Sequence, residues 1–501
     1  MRGQRLPIRR ESVAAFVGSS PRGPVAIPVS VRSVDEFQRR FGAPGHRCRL
    51  QDLLAQFFEN GGTNAIVVRV SASGRRHRIA IPGPAGNLVL SALNPGPHEC
   101  LRVSIDYDGI PLGDRERFNL VAHRLVSRDR PIVEDQEIYR AASIDPGDPD
   151  FVAQAVAESE LIRVEEPVPL ARPDVTRCSG VAVGAAYEYV DDDWSERVSL
   201  TDYDLIGCDT EATGIFALDR IPILDVVCLV PDEGEVGPVA SFAAEAYCRA
   251  RHAMLFVDPP AAWTSVEDVV KDRLSTVFSS PNVATYFPRP RAVPGTGLSR
   301  EPSALGALIG RLVADDFDRG IWGARNADSL TFRYRAKLGS ALNEHDVAAL
   351  KRLGVNALRE CVGGYMQIGG LVTMNRSRGI DSEWSDLRMR RLGLFIVGSI
   401  ARGTRWAAFD GGDERCWEDI RAQVAAFMNE LRDAGALSES VSGESWYVTK
   451  DRESFVEPGA AQFVVGFALS GDDFVAFRFV HDRLDCRVQP VAWQPGVALA
   501  S

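Results

Sequence analysis

The stretch Ser12-Val-Ala-Ala-Phe-Val-Gly18 decides the fold, read with Leu50, Leu53, Leu54, Phe57, Phe58, Asn60-Gly-Gly62 and Ala65-Ile-Val-Val-Arg-Val70 that follow it. Its short apolar run, stopped by Ser-Ser-Pro-Arg-Gly-Pro, predicts a buried strand. The leucines and phenylalanines recur at spacings of 3, 1, 3 and 1, which places them on one stripe of a helix. Gly61 and Gly62 end that helix, since glycine takes left-handed backbone angles without a Cβ clash. Ala65–Val70 is β-branched and reads as a second strand. Strand, helix, strand is the opening of an α/β unit.

Outward from there the texture changes. Between residues 73 and 180, short alternating runs such as Leu101-Arg-Val-Ser-Ile-Asp-Tyr107 are separated by Pro, Gly and Asp. They predict an inserted β-rich domain, with a helix around Asp150–Glu160 and a polar exit from Glu165 to Gly180. Residues 181–366 return to βαβ texture. Asp225-Val-Val-Cys-Leu-Val230 and Ala253-Met-Leu-Phe-Val257 read as buried parallel strands joined by a helix over Val239–Arg251, with Phe242, Ala243, Ala246 and Tyr247 on one side. Leu305, Leu308, Ile309, Leu312 and Phe317 mark a further helix. Residues 367–501 predict a C-terminal α/β domain. It has helices over Trp384–Ile400 and along Trp417, Ile420, Val424, Phe427 and Leu431, then strands at Ser445–Thr449, Gln462–Phe467 and Phe474–Val480. Residues 1–72 form a short N-terminal arm plus the opening strand–helix–strand. The expected class is α/β, in several domains.

Composition narrows the function. The chain has 501 residues, 45 % of them hydrophobic and 25 % charged, the balance of a globular protein. Domains of roughly 100–200 residues predict three or four units. The net charge of −11 argues against nucleic acid as the main partner, because phosphate binding needs a basic surface. No run approaches the ~18 apolar residues of a membrane span. Val13-Ala-Ala-Phe-Val17, after the basic Met1–Glu11, is too short for the apolar part of a signal peptide. Nine scattered cysteines without a CxxC pair, several inside apolar runs, predict reduced thiols in a reducing cytoplasm, which the resemblance given below would make a bacterial one.

Catalytic patterns fail one by one. There is no GxSxG elbow, phosphate-binding GxxxxGK[ST] loop, HExxH or calcium loop. Gly295-Thr-Gly297 is followed by Arg300 where a dinucleotide loop has glycine. The seven histidines are isolated from one another, and His252 suits a helix C-terminus. Asp191-Asp192-Asp193 reads as a solvated loop rather than a cation site. Arg388 and Arg391 share a helix face that Arg390 does not, which predicts ion pairing or subunit contact. Trp322 reads as core or interface. No catalytic, cofactor-binding or metal-binding residue is expected, and no cofactor.

Several collinear segments resemble the contractile tail sheath proteins of bacteriophages and related injection systems. They are Ser12–Gly18, Pro21-Arg-Gly-Pro24, Val34-Asp-Glu-Phe37, Phe41-Gly42, Phe57–Gly62, Val67–Val70, Ala212–Leu218, Tyr247–Arg251, Asp258-Pro-Pro260, Tyr286-Phe-Pro288, Asp316–Ala324, Leu353–Asn356, Arg390-Arg391, Trp406–Phe409, Cys416-Trp417 and Ala434–Leu437. The resemblance implies a central domain of subtilisin-like shape without protease activity, an outward β-sandwich-like insert, and an N-terminal strand–helix–strand packed with the C-terminal unit. It implies subunits in stacked six-membered rings around an inner tube protein, with baseplate and cap components and other sheath paralogues as partners. It implies no nucleic acid and no membrane insertion.

Chain termini that add strands to a neighbour's sheet would keep such copies connected. Phe474, Ala476, Phe477, Arg478 and Phe479 are the candidate inter-subunit strand; the alternative is an internal strand of the C-terminal sheet. The short basic start, and Asp410-Gly-Gly412 where the family has Pro-Asn, point to a second reading, a non-contracting or terminal sheath-like accessory. An α/β hydrolase-type enzyme is the reading from another class, on fold analogy alone.

Overall fold

Ala14–Gly18 is the strand that the apolar run predicts, and all five residues are buried. It lies between Val226–Val230 and Ala65–Arg69, parallel to both, with Phe16 opposite Cys228 on one side and Val67 on the other. The computed structural model describes residues 5–42, 48–72, 76–96, 99–126, 131–176, 199–276, 278–291, 302–323, 330–334, 337–361, 363, 365–376, 384–409, 414–438, 444–451, 461–470, 473–482 and 486–491. Asp191–Asp193, Gly295–Gly297, Arg300 and Asp410–Gly412 lie outside them. From Val226–Val230 the sheet continues in parallel through Met254–Val257, Val283–Phe287 and Asn356–Cys361. Antiparallel Tyr365–Gly369 and Thr331–Arg333 finish one edge, and Val29–Val31 the other, for nine strands among the described residues.

Side chains alternate across a strand, so a parallel sheet covered on both faces needs apolar residues at every position. Phe16, Val67, Cys228 and Phe256 face one core with the helices Arg49–Glu59 and Leu305–Arg319. Ala15, Val17, Val227 and Leu255 face the other with the helix Pro238–Ala250. The helix Pro238–Ala250 buries Tyr247 as expected but is rotated away from the rest of the expected face. Ala240, Ala244, Tyr247 and Cys248 are buried while Phe242 is 55 % exposed. Small residues let the helix lie close to the sheet, and Phe242 instead meets Phe278 edge-on at the rim. Phe317 is likewise exposed, beyond the buried stripe of its helix.

The opening strand–helix–strand is therefore part of the central sheet, and it packs with the C-terminal unit through one core that joins Phe16, Leu53 and Phe57 to Leu371, Leu387 and Leu394. A strand apolar on both faces and paired on both edges can only be interior. The expected division between 366 and 367 also falls inside the hairpin of Asn356–Cys361 and Tyr365–Gly369.

Residues 78–164 form two three-stranded antiparallel sheets. One holds Arg78–Ile81, Leu88–Ala92 and Ile162–Val164; the other holds Leu101–Asp106, Arg117–Leu125 and Val133–Ser143. They share a core that includes Ile79, Leu90, Val103, Leu120 and Ile162. The helix expected around Asp150–Glu160 shrinks to Val152–Ala155. The Ser159 hydroxyl accepts the N–H groups of Leu161 and Ile162, turning the chain out of the helix and into the next strand.

In the C-terminal unit, the helices Leu387–Gly403 and Glu414–Asp433 cover one face of a four-stranded antiparallel sheet. Leu387–Gly403 is buried nearly all round. Its Leu387 and Leu394 enter the core under the central sheet, and its Leu392, Phe395, Ile396 and Ile400 enter the C-terminal core. It is the element that the two units share.

Local signals also decide helix ends. Ser265 caps the helix Val266–Ser275 in a reciprocal box with Asp268. Hydrogen bonds from Thr264 and Ser265 hold the Asp268 carboxyl below its ordinary value. Ser265→Ala should cost about 1 kcal/mol, read as a lower urea midpoint at pH 7. Because the folded value is depressed, the Asp268 contribution is present above the unfolded pKa and fades as pH falls through the folded one. The gap between S265A and the parent should therefore narrow below about pH 4. A gap of constant size would exclude the reciprocal box.

Candidate assembly surfaces

The C-terminal sheet is built from Trp446–Lys450, Ala461–Ser470, Asp473–His481 and Cys486–Val491, in that order. Asp473–His481 is interior, the alternative reading of this segment. Phe479 pairs with Phe463 on one side and Val488 on the other, and Phe477 with Val465 and Pro490. Both edges of the strand are filled within the chain, which corrects its expected role as a strand donated to or received from a neighbour. Its unusual apolarity has a local cause. Val475, Phe477 and Phe479 point into the C-terminal core, where Phe477 and Phe479 stack on Phe467 and Phe463 at 6.0 and 5.0 Å. On the other face Ala476 is buried, Phe474 lies 6.0 Å from Tyr447, and Arg478 pairs with Asp451.

Among the described residues, the free edges of this sheet are the outer sides of Trp446–Lys450 and Cys486–Val491. The second of these strands escaped the sequence reading. Arg487, Gln489 and Pro490 weaken the strand pattern, and proline is tolerated there because an edge strand leaves one row of N–H groups unpaired.

The N-terminal arm is fastened at the junction of the two units. Leu6 is buried in the C-terminal core against bare backbone: a Cβ at Gly403 would stand 1.7 Å from Leu6 Cδ2. Arg5 pairs with Glu430 at 2.6 Å. Arg9 forks onto Asp225 at 2.9 and 3.0 Å, and its guanidinium sits 5.5 Å from the Phe395 ring centre. Ser12 donates to Asp316 at 2.6 Å, while Arg391 donates to Asp316 and to the Ser12 hydroxyl. Asp316 and Arg391 are 1 % and 5 % exposed, so the pair is buried. Burial pushes the Asp316 carboxyl up, against the opposing pull of Arg391 and Ser12.

Removing the apolar anchor should release the arm. Leu6→Ala is expected to speed tryptic cleavage after Arg10 about tenfold, since cleavage follows the population of the undocked arm. An unchanged rate, followed by mass spectrometry of the N-terminal fragment, would show that the ion pairs alone hold it.

The other sequence candidates resolve into structure. Arg388 pairs with Asp386 at 2.7 Å, and Arg390 donates to Asn282 while covering the Trp384 ring. Trp322 is core, near Phe395. His252 takes a positive φ of 54° just after its helix and lines a water-sized cavity with Ser12, Asp225, Met254, Ile321, Arg391, Leu394 and Phe395. An acid, a histidine and a serine meet there, but the Ser12 hydroxyl donates to Asp316 and accepts from Arg391, so it is held in the ion-pair cluster and not paired with His252 as a nucleophile with its base would be. Burial pushes the Cys228 and Cys248 thiols up, the reverse of an activated cysteine. Among the described residues there is no cluster of three or more His, Cys, Asp or Glu placed to hold a metal, and no helix is long and apolar enough to cross a membrane.

No family model matches the chain, and no curated protein matches it. Solved structures do. A sheath tail protein from Listeria innocua superposes with a TM-score of 0.60 at 11 % identity, covering 97 % of this chain and 96 % of that one. A sheath tail protein from Desulfitobacterium hafniense gives 0.56 at 11 % identity, covering 96 % and 98 %. The helical sheath of the anti-feeding prophage, in its contracted state, gives 0.53 at 12 % identity, covering 93 % and 92 %. The chain has the mixed α/β fold of tail sheath proteins along almost its whole length.

Proposed function

We propose that this chain is a structural sheath subunit of a contractile tail or a phage-like injection system, and that it acts through contacts between copies rather than by catalysis. The observation that carries the reading is the end-to-end likeness to sheath proteins, which takes in the arm, the central sheet, the insert and the C-terminal sheet together. Copies joined by heterologous contacts whose rotation does not close build a helical polymer. Such a polymer would surround an inner tube, start from a baseplate and end at a cap, and would be assembled in the bacterial cytoplasm. Its copies would form stacked six-membered rings.

Two features support the mechanical part. The units of one chain are tied by a buried ion pair and a shared helix, so each copy can move as one body while interfaces between copies rearrange. Strand exchange between copies would use the free edges Trp446–Lys450 and Cys486–Val491, with Phe474, Ala476, Phe477, Arg478 and Phe479 as the interior platform behind them.

Negative-stain microscopy of the chain, produced together with tube and baseplate components, tests the reading. Rings or tubes of regular diameter are expected. Persistent monomers in that mixture would overturn it.

A further inference from the structure

Among the described residues the Arg402 guanidinium has no hydrogen bond and no ion pair, although the Asp225 carboxylate attracts it from a distance. It sits in the last turn of Leu387–Gly403, where a cation is ordinarily explained by the unsatisfied carbonyls of the helix end. Here the carbonyls of Ile400, Arg402 and Gly403 already have donors. Thr404 meets the Ile400 carbonyl through its N–H at 2.9 Å and its Oγ1 at 2.7 Å, and Gln423 Nε2 meets the Gly403 carbonyl at 3.2 Å. The five N–H donors of Arg402 are left over.

The charges around it do not balance either. Burial first, and then the neighbouring Arg9, lower the Arg402 guanidinium to about 10. Arg9 is matched by Asp225 and Arg251 by Asp219, so three guanidiniums face two carboxylates. The place is fixed by close packing: a Cβ at Gly398 would lie 3.0 Å from Arg402 Nη1 and 3.3 Å from His252 Cβ, so the guanidinium and His252 lie side by side against bare helix backbone. The amino edge of the central sheet and the shared helix meet there.

We propose that Arg402, rimmed by Arg9, Arg251 and His252, binds one small oxyanion or carboxylate at the junction of the two units. The planar fork of arginine suits the paired oxygens of either group. The source is a free oxyanion or an Asp or Glu side chain of a second copy. The inference does not rest on the sheath reading.

The test uses the full chain and inorganic phosphate, titrated at constant ionic strength by calorimetry and thermal unfolding. Saturable binding is expected. It should weaken at least about tenfold in Arg402→Gln, weaken less in R402K, and stay unchanged in R405Q, a substitution at an exposed arginine one turn away. Gly398→Ala, which crowds the guanidinium without removing charge, should also weaken it. Sedimentation velocity separates the two sources. For a carboxylate of a second copy, phosphate and R402Q both reduce self-association; for a free oxyanion, R402Q associates as the parent does. Phosphate binding and self-association both unchanged in R402Q would overturn the proposal.

Discussion

Alanine at both Gly306 and Gly310 is expected to destabilise the protein by about 2–6 kcal/mol, the cost of two overpacked contacts. The two glycines stand four residues apart on Leu305–Arg319 and let that helix touch the backbone of Arg49–Glu59. A Cβ at Gly306 would lie 2.1 Å from the Leu53 carbonyl oxygen, and one at Gly310 would lie 2.2 Å from that of Phe57. Both obstacles are backbone, so no side-chain rotation relieves them. The helices would have to part, loosening Leu53, Phe57, Leu308 and Leu312 from the core under the sheet. Alanine also favours a helix over glycine by about 1 kcal/mol per site, which opposes the clash but is the smaller effect. Urea unfolding of G306A, G310A and the double variant decides the matter. Midpoints at or above the parent's would show that the helices are not in backbone contact.

The glycine pair was visible in the sequence as two glycines inside an apolar helical stripe, yet nothing there said what lay opposite. That limit recurs. Ala14–Gly18 was legible because a strand buried on both faces is apolar throughout. Its parallel partner Val226–Val230 was not, since parallel pairing joins segments far apart and leaves no local mark. The helix Pro238–Ala250 was legible as a helix, but its face was misread except at Tyr247. Hydrophobicity ranks Phe242 above Ala240 and Ala244, whereas close approach to a sheet favours the smaller side chains. Phe474–Val480 was legible as a strand, and its strong apolarity suggested exchange between copies. The structure explains the same apolarity by burial between two neighbouring strands and two helices. The buried cluster had a signal that went unread. Ser12, Asp316 and Arg391 are polar members of three of the segments that resemble sheath proteins, and they are the residues that meet.

That cluster gives the other large expected effect. Arg391→Met alone, or Asp316→Ala alone, should destabilise the protein by about 3–5 kcal/mol, because each leaves a buried charge without its partner. The double replacement R391M/D316L should return much of the loss, since apolar groups of similar volume need no compensation in a buried site. The two single variants should differ in their response to pH. In R391M the orphaned Asp316 can escape by taking up a proton. Burial already raises its carboxyl, and losing the arginine raises it further. Folded R391M then holds a proton that the unfolded chain, with a carboxyl near 3.9, releases. Its stability therefore falls as pH rises through that interval and recovers as pH is lowered. In D316A the orphan is Arg391, which stays charged across the whole range, so its deficit should not depend on pH. Unfolding midpoints for both variants between pH 5 and 8, each referred to the parent at the same pH, make the comparison. A deficit in R391M that shrinks toward pH 5, beside a flat one in D316A, shows that an ionised pair fastens the arm, the central unit and the shared helix together. Parallel profiles, or losses below about 1 kcal/mol, the level of an exposed pair, would mean that the junction is held by Leu6 and its apolar neighbours, with the ion pair contributing little.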